Sequence, residues 1–443
     1  MAAAWDRRVR SARSRDALVR AQFADAVGPF SPFWRARLSA IGIAPSAVTG
    51  TAALRRLPAV TERDLCPNGD PAGAAGLVLQ ADERGWALHT PGRDLRKGIA
   101  TRLRTPAAYR RQVEAAIRPT SYHFGGLGLT LPIASTRGDL DLVARAGARL
   151  WGVLGLTAAD VCVSALAVEQ RLDHVALSLA ALGSGAPALH PGDDPLAVTE
   201  ALRLVPATVL ALPAEEAPAL IDELGAVPRS VTTVLLVGGP TEGVRRAVAA
   251  ALPGRRVLGV WGPPDGRVLY GESTPGDGYV TYPDLEVLDV VDPDTGEQLG
   301  DRDGGELVVT QLGFRGSALV RWRTGTLLDA PLRSGGAPDG RTVPRLPSAL
   351  APAALVPVVA LHGADRPVDL RSVSAALARR TDLVAFRVDL GPRQRDGQVQ
   401  LVVRVALAAG APEQATAIAV AGAVRAGTGV RASQIVLDPG LLA

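Results

Sequence analysis

The sequence predicts an α/β protein with more than one domain, and three observations support this prediction. Between Leu172 and Val237, short apolar stretches alternate with stretches of helical periodicity, the pattern of βαβ units around a largely parallel sheet. From Tyr282 to Thr326, apolar and β-branched runs are separated by turn-forming residues, which indicates an antiparallel β element. A chain of 443 residues is also too long for one ordinary hydrophobic core.

The composition is that of a globular protein, with 47% hydrophobic and 21% charged residues. The net charge of +4 is small, and the arginines are scattered without interleaved aromatic residues, so we expect no nucleic-acid partner. Cys66 and Cys162 form neither a metal-ligand spacing nor a disulfide framework, which favours a reducing compartment. The N-terminus lacks the apolar segment of a secretory signal, and the apolar run from Leu350 to His362 is short and holds two prolines. We therefore expect a cytoplasmic chain that does not cross a membrane.

Local patterns predict the individual elements. Helical periodicity is found at residues 6 to 41, in parts of the arginine-rich stretch 80 to 120, and at Gly243–Leu252 and Glu413–Arg425. Apolar runs that predict strands are Ala207–Ala214, Val231–Gly239, Arg255–Gly266, Leu285–Val291, Glu306–Gln311 and Ala318–Trp322. Ligands of parallel sheets bind beyond the carboxyl ends of the strands, so the turns that follow these strands are candidate sites.

Three sequence blocks occur in a fixed order inside the antiparallel element. They are DPDTGE from Asp292, GGELVVTQL from Gly304 and ALVRWRTG from Ala318. This order resembles the phenylacetate–CoA ligase branch of the adenylate-forming enzymes. The resemblance implies a large N-terminal adenylate-forming domain, residues 1 to 362, and a small C-terminal α+β lid domain, residues 363 to 443.

The last block ends at the position where the family has an aspartate that holds the ribose hydroxyls of ATP. Here Arg323 and Gly325 match the family, but Thr326 stands at the aspartate position. By resemblance, Arg323 is a nucleotide-binding candidate and Thr326 a catalytic one. A threonine offers one hydroxyl, whereas a carboxylate can accept from both ribose hydroxyls.

A glycine cluster occupies the place of the family's phosphate-binding loop. Gly125, Gly126 and Gly128 could present backbone N–H groups to an anion, and Thr130 is the remaining hydroxyl. Three leucines interrupt the segment, and no lysine closes it, although hydroxyls and a cation stabilise a transferring phosphate group. A tight turn between two strands is an equally good interpretation. His123 precedes the cluster and is a structural residue or a pocket-lining one.

Two further turns match the family's adenine-binding and metal-binding positions. Gly238, Gly239 and Pro240 stand where the family's backbone contacts adenine. Trp261 and Gly262 stand where the family has an aromatic residue stacked on adenine and then glycine, and Asp265 replaces a glutamate that reaches magnesium. A carboxylate is a hard ligand that suits Mg²⁺. A proline-rich turn that ends in Asp-Gly is the alternative interpretation.

The C-terminal segment resembles the family's lid, which rotates between the two half-reactions. Asp365 is the candidate hinge residue, and Ala364 stands at the usual arginine position. Adenylate-forming enzymes commonly carry a lysine in their final segment, but the single lysine of this chain is Lys97. Arginine does not replace a lysine point charge without a change of geometry.

The resemblance implies a protein that converts a small aryl or fatty carboxylic acid to an acyl-adenylate and then to a CoA thioester. The implied cofactors are ATP/AMP, Mg²⁺ and CoA. The substituted positions predict impaired activity. Two alternatives are a non-catalytic paralogue that binds a nucleotide or an acyl ligand, or partners an active ligase, and an interaction module that keeps only the fold. A homodimer is a further possible assembly.

Overall fold

A computed structural model describes most of the chain. The described residues are 12–65, 71–90, 92–125, 131–168, 172–293, 295–300, 304–333, 340–348, 350–352, 358–359, 368–369, 371–390, 400–428 and 432–442. The predicted fold class is confirmed, because a large α/β body precedes a smaller domain that contains a β-sheet. The predicted boundary at residues 362 and 363 lies outside the described residues and stays a prediction.

An eight-stranded sheet forms the centre of the body, in the order β13-β9-β8-β7-β6-β5-β3-β4. Its strands are β3 (Cys162–Ser164), β4 (Ala188–Leu189), β5 (Val209–Pro213), β6 (Thr233–Val237), β7 (Arg256–Trp261), β8 (Tyr270–Glu272), β9 (Tyr279–Val280) and β13 (Arg345–Leu346). The pairs from β4 through β3, β5 and β6 to β7 are parallel, and the pairs β7–β8, β8–β9 and β9–β13 are antiparallel. The carboxyl ends of β6 and β7 therefore lie side by side.

Helices connect and cover these strands. They are α6 (Glu83–His89), α7 (Gly92–Arg104), α8 (Pro106–Ile117), α9 (Arg137–Val153), α10 (Leu172–Ser184), α11 (Pro195–Leu204), α12 (Ala217–Leu224) and α13 (Glu242–Ala251). A hairpin of β1 (Pro119–Gly125) and β2 (Leu131–Thr136) joins α8 to α9. Helices α9 and α10 pack closely at Gly183, where a Cβ would come within 2.1 Å of the Ala144 carbonyl oxygen.

The N-terminal segment is helical without a break over residues 12–30 and forms shorter helices after Ser31. The helices are α1 (Ala12–Gln22) and α2 (Gly28–Phe30), which a π-helical segment (Phe23–Val27) joins, followed by α3 (Pro32–Ala40), α4 (Thr51–Leu54) and α5 (Glu62–Leu65). Ser31 breaks the helical run, since its hydroxyl caps α3 by accepting the Trp34 N–H at 3.1 Å. Trp34 then joins a buried apolar cluster that also contains Trp322.

The antiparallel element is a four-stranded sheet in the order β10-β11-β12-β14. Its strands are β10 (Glu286–Val291), β11 (Gly305–Gln311), β12 (Trp322–Leu328) and β14 (Leu350–Pro352). The predicted strand Ala318–Trp322 is wrong, because the strand begins only at Trp322. Arg321 has a φ of +49°, and its N–H bonds to the Thr310 hydroxyl, so the backbone turns before the ladder starts.

The C-terminal domain contains a three-stranded sheet and two helices. Its elements are α14 (Arg371–Ala378), β17 (Leu383–Leu390), β18 (Leu401–Leu407), α15 (Glu413–Thr428) and β19 (Gln434–Leu437), and a two-stranded sheet of β15 (Val358–Val359) and β16 (Val368–Asp369) precedes them. Valine and leucine side chains from both helices and both central strands form its own core. None of the described helices is long and apolar enough to span a membrane.

The C-terminal domain lies directly against the body. Val384 of β17 belongs to the same buried apolar cluster as Val244 and Val248 of α13. A Cβ on Gly243 would approach the Leu383 carbonyl oxygen to 1.7 Å, so this contact requires glycine. The body and the C-terminal domain thus share buried apolar surface.

Candidate functional site

The candidate site lies where β6 and β7 end. Gly238 and Gly239 follow β6 with φ values of +114° and +84°, a conformation that favours glycine. Thr241 then caps α13 by accepting the Val244 N–H at 3.2 Å. The structure therefore brings the predicted turn 238–240 next to Trp261, the last residue of β7.

The Trp261 ring is enclosed by protein. The residue is 6% exposed and stacks on Tyr270, with ring centroids 6.0 Å apart and an interplanar angle of 23°. Tyr279 lies 6.3 Å from the same ring, and a Cβ on Gly239 would come within 2.8 Å of Trp261 Cδ1. A purine could stack on Trp261 only after one of these neighbours moved.

Asp265 lies inside the body and not on an open surface. It is 2% exposed, and its Oδ2 accepts a hydrogen bond from Trp322 Nε1 at 2.6 Å. Gly262 allows the tight turn before it, since a Cβ there would lie 2.8 Å from the Val268 carbonyl oxygen. The structure thus places Asp265 beside the start of β12, as a partner of an indole.

The surroundings of the Asp265 carboxylate do not fit a magnesium ion. Mg²⁺ takes octahedral oxygen coordination and usually keeps several waters, which a buried carboxylate bonded to an indole N–H does not offer. Among the residues that the structure describes, no group of three or more histidine, cysteine, aspartate or glutamate side chains is placed to hold a metal ion. The predicted metal role of Asp265 therefore stays a prediction without geometric support.

Arg323 and Thr326 lie on β12, and both are engaged with the protein. Arg323 forms an ion pair with Glu306 and donates to the Pro293 carbonyl. The other oxygen of Glu306 accepts the Gly325 N–H at 3.1 Å, so one carboxylate fixes two positions of the motif. Thr326 is 6% exposed and pairs with Pro352 of β14. The motif therefore stabilises the four-stranded sheet.

Several predicted residues cannot be placed. Gly126, Gly128, Thr130 and Asp365 lie outside the described residues. Gly125 is the last residue of β1 and pairs with Leu131, the first residue of β2.

A buried arginine network, which the sequence did not reveal, lies beside this hairpin. Arg267 is 2% exposed, donates to Gln311 Oε1 at 2.8 Å and to the Ala134 carbonyl at 3.1 Å, and lies 3.6 Å from Asp139. Its guanidinium also lies 4.1 Å from the centre of the Phe314 ring. Burial lowers the pKa of Arg267 to about 10. An arginine at this position has no sequence motif that would mark it.

The cavity beside Arg267 is very small. It has a volume of about 10 Å³ and is lined by His123, Ser135, Leu172, Arg267 and other residues. Burial is the main cause of the lowered pKa of His123, and the positive charge of Arg267 adds to it. This volume holds about one water molecule, so an acyl group fits only if the surrounding residues move.

A second buried ion pair lies behind the Trp261 ring. Arg245 of α13 donates two hydrogen bonds to Glu272 of β8, at 2.8 and 2.9 Å. Glu272 also accepts the Gly259 N–H at 2.7 Å. Burial raises the pKa of Glu272, although the arginine and the N–H groups act in the opposite direction. This pair links the helix after β6 to the antiparallel part of the central sheet.

Comparison with solved structures identifies the fold. The chain is similar to 2-hydroxyisobutyryl-CoA ligase in the postadenylation state in complex with 2-HIB-AMP, with a TM-score of 0.69, 18% identity, and coverage of 96% of this chain and 86% of the other. An open conformation of that ligase with 2-HIB-AMP and CoA gives a TM-score of 0.64, 19% identity, and coverage of 96% and 87%. No family model and no curated protein matches the chain. The chain therefore has the fold of an adenylate-forming CoA ligase, and the phenylacetate–CoA ligase branch stays a prediction.

Proposed function

We propose that this chain is a relative of the AMP-forming acyl-CoA ligases whose adenylation activity is severely impaired and whose role is binding. The observation that carries this proposal is the enclosure of Trp261 between Gly239, Tyr270 and Tyr279. In the family that the sequence resembles, the equivalent aromatic residue stacks on adenine. Here other protein atoms surround the Trp261 ring.

The polar candidates support the same proposal. In the fold family's reaction, a carboxylate attacks ATP, and the enzyme must stabilise negative charge on the phosphates. Arg323 is paired with Glu306, so its positive charge is already engaged within the protein. Asp265 accepts from Trp322 and is poorly placed to hold a magnesium ion that would stabilise phosphate charge. Removal of one such stabilising contact commonly costs about 10²–10³ in rate. Several displaced contacts together would leave little adenylation.

An active CoA ligase is the second candidate, and the extent of the structural similarity favours it. The alignment with the ligase of known structure covers 96% of this chain and 86% of the ligase. That ligase binds 2-HIB-AMP and CoA. By the sequence resemblance to the phenylacetate–CoA ligase branch, the substrate class for this candidate is a small aryl or fatty carboxylic acid, with ATP, Mg²⁺ and CoA as co-reactants.

Carboxylate-dependent ATP–pyrophosphate exchange tests the proposal. A panel of aryl and fatty acids is assayed with magnesium, alongside calorimetric titrations of ATP and AMP into the full chain. We expect no exchange above the no-acid background. Exchange at an ordinary ligase rate that is lost in Asp265→Ala would overturn the proposal and establish the second candidate.

The titrations separate two forms of the proposal. Measurable heat with ATP or AMP, without exchange, supports a protein that binds nucleotide but does not adenylate. The absence of measurable heat with both nucleotides supports a role through association with a second copy or with an active ligase. Light scattering of the purified chain then measures whether the chain forms a homodimer.

A further inference from the structure

A cavity remote from the candidate site lies between α8 and α9. Its volume is about 710 Å³, which is within the range of small-molecule sites. Arg111 and Arg118 line it from α8 and the residue after it, and Arg137 lines it from the first turn of α9. Gln112 and Thr120 add neutral polar groups, and Glu114 is the acidic residue among those that line it.

The surrounding segment is strongly basic. Residues 92 to 118 contain eight basic and two acidic residues, a net charge of +6, whereas the whole chain has a net charge of +4. The remainder of the chain is therefore slightly acidic. Such asymmetry concentrates positive potential around α7 and α8 and attracts anions.

The three arginines of the cavity are not neutralised within the part of the chain that the structure describes. None of the ion pairs between described residues involves Arg111, Arg118 or Arg137. Most arginines of the body interior do form such pairs. Three exposed arginines that line one cavity without carboxylate partners among the described residues match an anionic ligand.

The walls of the cavity are fixed by packing and capping. Tyr109 and Val113 anchor α8 because both are buried. Thr136 and Asp139 form a capping box at the start of α9, which sets the position of Arg137. The positive end of this 17-residue helix lies at the same wall. The arginines thus project from a supported backbone.

We propose that this cavity binds a small molecule that carries two or more phosphate groups. Guanidinium groups bind phosphate oxygens in paired hydrogen bonds, and three of them exceed what a single phosphate needs. The cavity is separate from the candidate site, because the residues that line it lie within 108–120 and at Arg137, and none of them belongs to the turns after β6 and β7.

Calorimetric titration of the full chain with inorganic diphosphate at low ionic strength tests the proposal. The test variant is Arg111→Gln/Arg118→Gln/Arg137→Gln. The matched control is Arg20→Gln/Arg203→Gln/Arg246→Gln, which removes the same charge from exposed arginines elsewhere. We expect diphosphate to bind the natural chain and the control alike, and at least 10-fold more weakly to the test variant, whose Tm should be unchanged.

Two comparisons sharpen the ligand class. ADP that binds more than 10-fold more tightly than diphosphate supports a nucleotide, and equal affinity supports recognition of the phosphates alone. The proposal is overturned by absence of diphosphate binding, by equal weakening in both triple variants, or by monophosphate that binds as tightly as diphosphate.

Discussion

Arginine has opposite surroundings in the body interior and around α8. Arg245, Arg267 and Arg321 are each less than 10% exposed, and a carboxylate lies beside every one of them. Arg111 and Arg118 are exposed, and none of the ion pairs between described residues includes them. A buried charge must be paired because desolvation is costly, whereas an exposed one is hydrated. The contrast teaches that the surroundings of an arginine, and not its presence in a motif, decide whether it can bind a ligand.

The largest expected effect comes from breaking a buried pair. Glu272→Gln leaves the Arg245 guanidinium buried without its carboxylate partner. We expect the free energy of unfolding to fall by about 3–5 kcal/mol, measured by urea denaturation.

Glu242→Gln is the matched control for Glu272→Gln. Glu242 also lies near Arg245, at 3.7 Å, but its side chain is 49% exposed. Solvent screens this pair, so the expected loss is below about 0.5 kcal/mol. Equal losses in the two variants would show that burial does not separate the two kinds of charge.

The contact between the body and the C-terminal domain allows a buried and an open position to be compared for packing instead of charge. Gly243→Ala places a Cβ about where the Leu383 carbonyl oxygen lies, since the built separation is 1.7 Å. We expect a loss of about 1–3 kcal/mol from overpacking and faster hydrogen exchange in β17. Gly422→Ala, in the C-terminal helix α15 with no atom within 4 Å of its Cβ, should be neutral or slightly stabilising. Unchanged exchange in Gly243→Ala would refute the close contact.

The pH dependence of stability tests a buried carboxyl that is not paired with a close cation. Burial raises the pKa of Glu286 to about 8, while Tyr270 and Gln311 donate hydrogen bonds to it. The folded state therefore keeps a proton that the unfolded state loses near its ordinary pKa of 4.5. Stability from this group is full below about pH 4.5 and decreases up to about pH 8, by at most about 1.4 kcal/mol per pH unit.

Glu286→Gln isolates this group from the other titrating residues. The variant should gain stability relative to the natural chain as pH rises from 5.5 to 7.5. Glu83→Gln, an exposed substitution, should follow the natural chain throughout. A constant difference between natural chain and Glu286→Gln over that range would contradict the raised pKa.

Parts of the fold could be predicted because they depend on local patterns. The alternation of apolar runs and helical stretches predicted the parallel strands β5 and β6, and the apolar and β-branched runs Leu285–Val291 and Glu306–Gln311 predicted strands β10 and β11 within one residue. The start of β12 was missed, because a residue with positive φ interrupts an apolar run that looks like a strand. The run Ala318–Val320 is buried without being in the ladder.

Whether the candidate residues can contact a nucleotide could not be predicted in the same way. By resemblance, the sequence predicted nucleotide-site roles for Trp261, Asp265 and Arg323. It contained no sign that Tyr270 stacks on Trp261 or that Trp322 donates to Asp265, since side-chain pairing depends on how strands pack. The cavity beside α8 was equally hidden, although the basic composition of its segment was visible.

The sequence by itself determined the fold class and the positions of the turns, because periodicity and turn residues act over a few neighbouring positions. The tertiary structure alone decided which charged and aromatic side chains are engaged in contacts with other residues of the protein. Asp265 and Trp322 are 57 positions apart, and Arg321 and Asp289 are 32 positions apart. Such pairs form only when sheets and helices assemble, and the cost of burying an unpaired charge then determines which arginines pair internally and which remain at the surface.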